Sequence, residues 1–370
     1  MSFAQRAGQF AQRLIDNISP GLADKISDER AKRRHARSGG AWRWELSRPC
    51  PLRRCEAGGA QVGSRLILAG GLESMDHVHD TIDVFDMERE AWIQSWPLPR
   101  GMPHSHHGMV SDARRFIYLA AGQIGPQCAP AVADVFSLDA ETGRTRALPP
   151  LPGARYAPAA ALLDGRLHVI GGSAADRSTP LDDHWSIGVR DGEATDDDWR
   201  AEPPAPIAAT HCGHVVAEGA ILLLGGQQGD VKPIPGDAAH TCDFNTPIEP
   251  VLRQVHRFRA ASGSWERLAD MPEALSHIEG CAVVHGSHLI VFAGTEERFV
   301  LSNTIKVLDL RTGLWRIAGT MPRYFKNAVV GRIGRKIFFA TGQRSKSSSD
   351  RFPGRVSASV WKTWIPESLL

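Results

Sequence analysis

Histidine and carboxylate side chains recur at matched places along this chain of 370 residues. Five residues past a proline stand Glu56 (from Pro51), His104 (Pro99), Ala157 (Pro152), His211 (Pro206), His277 (Pro272) and Asn327 (Pro322). Each proline leads to a small-residue doublet: Gly70-Gly71, Ala121-Gly122, Gly171-Gly172, Gly225-Gly226, Ala293-Gly294 and Thr341-Gly342. Four of these spans are 19 residues, which puts Glu56, Ala157, His211 and Asn327 in common register. The second and fifth spans are longer by three and two, so counting back from the doublet offers His107 and Glu279 instead. Either register leaves a histidine (His104, His106 or His107) in the second segment and His277 or Glu279 in the fifth.

If these positions converge in space, two chemistries are open. Two or three imidazoles with a carboxylate ligate one divalent transition metal such as Zn²⁺, Fe²⁺, Mn²⁺ or Cu²⁺; His106, His107, His211 and His277 are the candidate ligands. Without a metal, His211, His104, His277, Glu56 and Glu279 serve as general acids and bases. Arg54, Arg155, Arg323 and Lys326 lie within about four residues of these positions and could hold a substrate carboxylate or phosphate. Tyr156 and Asn327 add hydrogen-bonding walls. The bland alternative is a set of solvated histidines with no task, since no local ligand motif supports the cluster. No nucleotide cofactor is expected.

The elements that must position them follow from the doublets, spaced 51, 50, 54, 68 and 48 residues apart. A period near fifty with apolar strands and glycine turns signals a propeller. Runs such as Leu66-Ile67-Leu68 and Ile221-Leu222-Leu223-Leu224 read as buried strands. After each doublet comes a loop, a strand of the type Asp83-Val84-Phe85-Asp86, and in most units a Trp: Trp92, Trp199, Trp265 and Trp315, with Thr145 in its place in the second unit. These tryptophans are expected to be buried plates between blades. The last unit lacks an outer strand, and residues 41–46 with Trp44 are expected to supply it, removing an open sheet edge.

These doublets, the Val-Phe-Asp strand, and the Trp before a Met-Pro or Leu-Pro resemble the kelch repeat over roughly residues 42–365. The resemblance implies an all-β, six-bladed kelch β-propeller spanning 41–370, preceded by an N-terminal helical arm, 1–40. In that fold the positions counted above rim a central channel. Kelch propellers serve both as enzymes and as protein-binding platforms. The bacterial N-acetylneuraminate epimerase is similar in architecture and in having a blade insert near the channel. The plant specifier proteins hold a metal through Glu and Asp at four-residue spacing, and no such motif occurs here. The galactose-oxidase-like kelch enzymes use a cross-linked Tyr-Cys pair with Tyr and His ligands to copper, and only Tyr118, Tyr156 and Tyr324 exist here, Tyr118 in a strand.

The functional expectation is an intracellular kelch enzyme of isomerase, lyase or metal-dependent type, acting on a small polar substrate. The alternative is a non-enzymatic interaction scaffold. The absence of a BTB-type partner domain from these residues favours the enzyme. Two loops after the doublets share the rim's face: Asp76-His77-Val78-His79-Asp80, read as solvated, and a long insert at about 227–250, read as a lid.

With 43 basic and 41 acidic residues, nothing overall favours nucleic acid. Residues 1–40 carry eight Lys/Arg against four Asp/Glu. Phe3, Ala7, Phe10, Leu14 and Ile18 fall at helical spacing before the basic run Lys32–Arg37. That arm is expected to pack on the propeller, with a protein partner or a membrane surface as the sharper option. Arg6, Arg13 and Asp16 interrupt any secretory apolar core. Six cysteines without framework spacing are expected to be free thiols in a reducing cytoplasm.

Overall fold

A computed structural model describes residues 20–369 apart from 100, 103, 126–127, 244–249, 298–299 and 346–354. Six antiparallel blade sheets follow one another along the chain, and the blade-four insert carries a two-stranded ribbon of Lys232–Pro233 with Cys242–Asp243. Blade one is typical: Gly58–Val62 innermost, then Arg65–Ala69, Thr81–Asp86 and Ala91–Pro97 at the edge. The expected six-bladed propeller is the fold. Blade six runs Val329–Ile333, Lys336–Ala340, Val360–Trp364, and takes its outer strand from Trp44–Leu46. Trp44 lies opposite Thr363 and Leu46 opposite Trp361. The ring is thus closed by the N-terminal strand, as the unpaired last unit required.

The doublets owe their residue types to backbone angle. Both positions are left-handed in all six blades: the first at φ 53–61°, the second at φ 88–114°. The first angle lies in the pocket that Ala or Thr occupies at modest cost; the second favours glycine. A Cβ there would also strike the chain. On Gly122 it would come within 2.6 Å of the Ser105 carbonyl, and on Gly172 within 2.8 Å of the Tyr156 carbonyl. In five blades the residue just before the rim passes directly over the second doublet glycine; in blade five Gly294 instead faces the side chains of Ile278 and Leu275.

Apolar side chains fill the spaces between neighbouring sheets. Phe85 meets Phe338 edge to face at 5.5 Å, joining blades one and six. Full burial of each such ring is worth about 1.5–3 kcal/mol. The edge-strand tryptophans are half-buried, not the buried plates expected, because they lie on outermost strands. Their indole N–H groups reach back to the preceding connection: Trp199 donates to the Pro149 carbonyl at 2.9 Å, Trp265 to Pro203 at 3.0 Å, and Trp315 to Ala269 at 2.9 Å. Each is therefore a polar staple between blades as well as an apolar one.

The expected apolar face Phe3–Ile18 lies outside the described residues. What is described of the arm is helix α1 (Pro20–Ala36), which packs against Trp44–Leu46 and the outer strand of blade five, Leu314–Lys326. Its anchor is ionic. Asp28 accepts from Arg344, Arg323 (3.2 Å) and Ser359, and Asp24 pairs with Arg344 at 2.6 Å and Arg53 at 3.1 Å. Arg323 is therefore occupied by the helix and by the Ser27 carbonyl at 2.6 Å, not by the channel. No helix among the described residues is long and apolar enough to cross a membrane.

Removing one partner of a buried charge cluster strands the others. Asp28→Ala should lower stability by about 3–5 kcal/mol in a denaturant melt. Arg33→Ala, on the exposed side of the same helix, should change it by less than about 0.5 kcal/mol. Equal effects would show that the helix does not dock through Asp28.

Candidate functional site

The rim of the channel is a ring of six residues held in one unusual conformation. Glu56, His106, Ala157, His211, His277 and Asn327 all have left-handed backbones, φ 47–56°. Each ends a short pairing between the residue before it and the residue after a doublet, as in Ser105 with Gln123, Thr210 with Gln227 and Ser276 with Thr295. The turn aims the rim residue's amide at the neighbouring blade. His106 N–H donates to the Glu56 carbonyl at 3.2 Å, Ala157 to His106 at 2.9 Å, His211 to Ala157 at 3.2 Å, His277 to His211 at 3.1 Å and Asn327 to His277 at 3.1 Å. At the junction of Asn327 and Glu56, the Asn327 side-chain amide donates to the Glu56 carboxylate.

The two longer segments resolve their own ambiguity. In blade two the ring residue is His106. Two of the extra residues precede it and one lengthens the hairpin turn at 112–115. His104 is left at the seam with blade one, its carbonyl accepting from Gly71 N–H at 2.6 Å and its Nδ1 from Gly125 N–H at 3.4 Å. His107 points to the other side, against Gly58. Its two ring nitrogens have no partner among the described residues, and burial pushes it down to about 4. In blade five His277 holds the ring place. The two extra residues form a turn closed by Cys281 N–H on the Ile278 carbonyl at 3.0 Å. That turn carries Glu279 back to His211, so both blade-five candidates are at the site.

The ring side chains interlock. His211 and His277 stack with centroids 3.9 Å apart, and His106 stacks on Tyr156 at 4.3 Å. His211 is gripped at both nitrogens: Nδ1 by Glu279, Nε2 by Asp230 at 3.1 Å. Burial by itself would lower its pKa, but Glu279 and Asp230 outweigh it and raise it to about 10. His211 is thus an imidazolium whose two N–H groups both donate. His106 and His277 lie well below 6.5, first through burial, then through nearby Arg177 and His211. They are neutral. Glu56, 3.5 Å from His106, is raised by burial to about 7, against the pull of Lys326 and His211.

The sequence reading missed a second layer above the ring. Arg177, from the blade-three loop, lies with its guanidinium 3.8 Å over the Tyr156 ring and donates to the Tyr156 hydroxyl. It also donates to Gln123 Oε1 at 2.6 Å and sits 3.6 Å from Asp230. Arg177 and Asp230 stand five and four residues past their doublets. Asp230 lies inside the blade-four insert already read as a lid, and the same loop position in blade three holds Arg177.

Above that layer three loops meet. Met75 of blade one packs with Cys128 of blade two and with Val231 and Cys242 of the blade-four insert. Cys128 and Cys242 form a disulfide, so the expectation of six free thiols is corrected; Cys50, Cys55, Cys212 and Cys281 are free and buried. Linking a blade-two loop to the insert fixes the lid as a cap. Two further expectations change. The ring histidines are no more than 8% exposed, so they do not line a wet channel. Arg54 is buried against Asp83 and donates to the Gly70 carbonyl at 3.0 Å, while Arg155 pairs with Asp183 at 2.7 Å and covers Trp185 at 4.2 Å. Both hold loops in place within their blades. The space left inside the ring is about 30 Å³, lined by Glu56, His106, His107, Glu279 and Asn327.

Comparison with known proteins matches this architecture. Kelch repeat-containing protein At3g27220 of Arabidopsis thaliana is 33% identical over 332 residues, covering 87% of this chain and 76% of its own length. The chain belongs to the kelch-repeat family. The Kelch motif model matches residues 154–206, within blade three and the approach to blade four. Human Kelch-like protein 34 is 29% identical over 177 residues, 47% of this chain and 26% of that protein. Rat Kelch domain-containing protein 8B is 30% identical over 159 residues, 40% of this chain and 43% of that protein. In this kelch propeller the chemistry-bearing side chains are drawn into the ring instead of facing an open mouth.

The charge on His211 sets a pH dependence. Its folded pKa exceeds the unfolded value, so its stabilisation is complete below about pH 6.5 and is lost as pH rises towards about 10. The gap in Tm between wild type and His211→Asn should be widest near pH 6.5 and close towards pH 10. A gap independent of pH over that range would mean that His211 is not a clamped cation.

Proposed function

We propose that this kelch chain is a protein-interaction module that binds a partner on its capped loop face. The observation that supports this reading is closure. His211, Glu279, Asp230, Arg177 and Tyr156 satisfy one another, and about 30 Å³ holds an ion or one to two waters, whereas small-molecule sites run to about 300 Å³ or more. The cap turns the channel end into a continuous surface. On it Ile234, 43% exposed, stands on the insert beside exposed Lys232. An apolar side chain on a bridged loop offers a partner a rigid contact at low ordering cost. Kelch propellers include protein-binding platforms, and the same fold carries no activity by itself. The Cys128–Cys242 bridge suits an oxidising compartment better than the reducing cytoplasm first expected.

One observation favours a second reading. A carboxyl held near 7 beside two neutral imidazoles is suited to proton transfer, and ligand atoms of Glu56, His211 and Glu279 lie within 4.8 Å of one another. Acid/base or metal-assisted chemistry on a small polar substrate would need more room than the space beside Glu56 and Glu279 gives. A metal would also have to take His211 from its carboxylates, since an imidazolium has no lone pair to give.

Cross-linking of the full chain to its partners, read by mass spectrometry, separates the two readings. The expected result is a partner cross-linked at Lys232 and lost with Ile234→Asp, while His211→Asn, folded at pH 7, retains it. Partner capture unaffected by Ile234→Asp, together with turnover that His211→Asn abolishes, would establish the enzyme reading instead.

A further inference from the structure

The hairpin after the first doublet presents three potential metal ligands on one face. Leu72 and Val78 pair across it in an antiparallel bridge. Glu73 N–H donates to the His77 carbonyl at 3.0 Å, and His79 N–H to the Gly71 carbonyl at 2.9 Å. Residues 73 and 77 are therefore opposite one another, as are 71 and 79. Alternate residues of paired strands share a face, so Glu73, His77 and His79 project together, away from Leu72 and Val78. One ligand atom from each of Glu73, His77 and His79 lies within 4.8 Å of the other two, and the imidazole centroids are 5.2 Å apart.

His79 is held as a ligand needs to be. It is buried; its Nε2 bonds the Arg53 carbonyl at 2.7 Å and stands 3.9 Å from the Glu73 carboxylate, so with the ring proton on Nε2 the lone pair a metal would use is on Nδ1. Glu73 and His77 are exposed and free to rotate the small distance that ligand bonds of about 2 Å demand. Two imidazoles and a carboxylate form a donor set of zinc type, with the fourth tetrahedral place left to water. We infer that this hairpin binds one Zn²⁺-class divalent cation through Glu73, His77 and His79, on the loop face and apart from the histidine ring. The free thiols, all buried, do not compete for it.

The test is a Zn²⁺ titration of the full chain, purified without a histidine tag and stripped with EDTA, followed by calorimetry at pH 7.5, with Co²⁺ absorption as the reporter of geometry. Wild type should bind one Zn²⁺ with a tetrahedral Co²⁺ spectrum. His77→Ala and Glu73→Gln alter exposed side chains, so unchanged Tm values should confirm their fold, and each should weaken binding tenfold or more. Binding equal to wild type in both variants would overturn the site. So would absence of binding at millimolar Zn²⁺, or loss of binding in His211→Asn but not in His77→Ala, which would assign the ion to the ring.

Discussion

The centre of this propeller depends on one positive charge, that of His211. Its two N–H groups hold Glu279 and Asp230, and Asp230 in turn faces Arg177, which lies over Tyr156 and against Gln123. Through these contacts a single imidazolium joins blade four to the blade-five turn, to its own insert and to the loops of blades two and three. Burying so many ionisable groups is expensive unless each is paired. The arrangement meets that condition by alternating charge: cations at His211, Arg177 and Lys326, carboxylates at Glu279 and Asp230, and neutral rings at His106 and His277 between them. A proton removed from His211 would leave a buried carboxylate, Asp230, and a half-buried one, Glu279, facing a neutral ring.

The ring of backbone bonds sets the geometry on which that charge acts. A left-handed turn at each rim residue points its amide to the next blade, and the glycine two strands away leaves space for the chain to pass. The doublet and the rim are thus two sides of one constraint. It also explains why a bulky residue is tolerated at the rim in five blades but not at the second doublet position: the rim side chain enters the channel, whereas a Cβ on the second doublet residue would strike a backbone carbonyl in five blades and the Ile278 side chain in blade five.

The fold was legible because its signal is repeated and local. The six doublets, the alternation of strands and the orphan Trp44 each have their counterpart in the structure. The site was legible only in part. Glu56, His211, His277 and Asn327 fell into register because their segments have equal or late-lengthened spans, and Glu279 because counting from the doublet lands in the turn that presents it. His104 misled because the added residues of blade two lie before the rim. Arg54, Arg155 and Arg323 could not be told from ligand-binding arginines by position, since their partners Asp83, Asp183 and Asp28 are tertiary neighbours. The Cys128–Cys242 pair spans 114 residues and no spacing rule connects it.

Histidine-selective ¹⁵N labelling with NMR titration reads the protonation state of each ring directly. With resonances assigned by His106→Asn, His211→Asn and His277→Asn, the account predicts that His211 remains imidazolium at pH 8, approaching deprotonation only near about 10, while His106 and His277 remain neutral at pH 6. Three rings titrating together near about 6.5, the value of an unperturbed histidine, would contradict the closed ring and return these side chains to solvent.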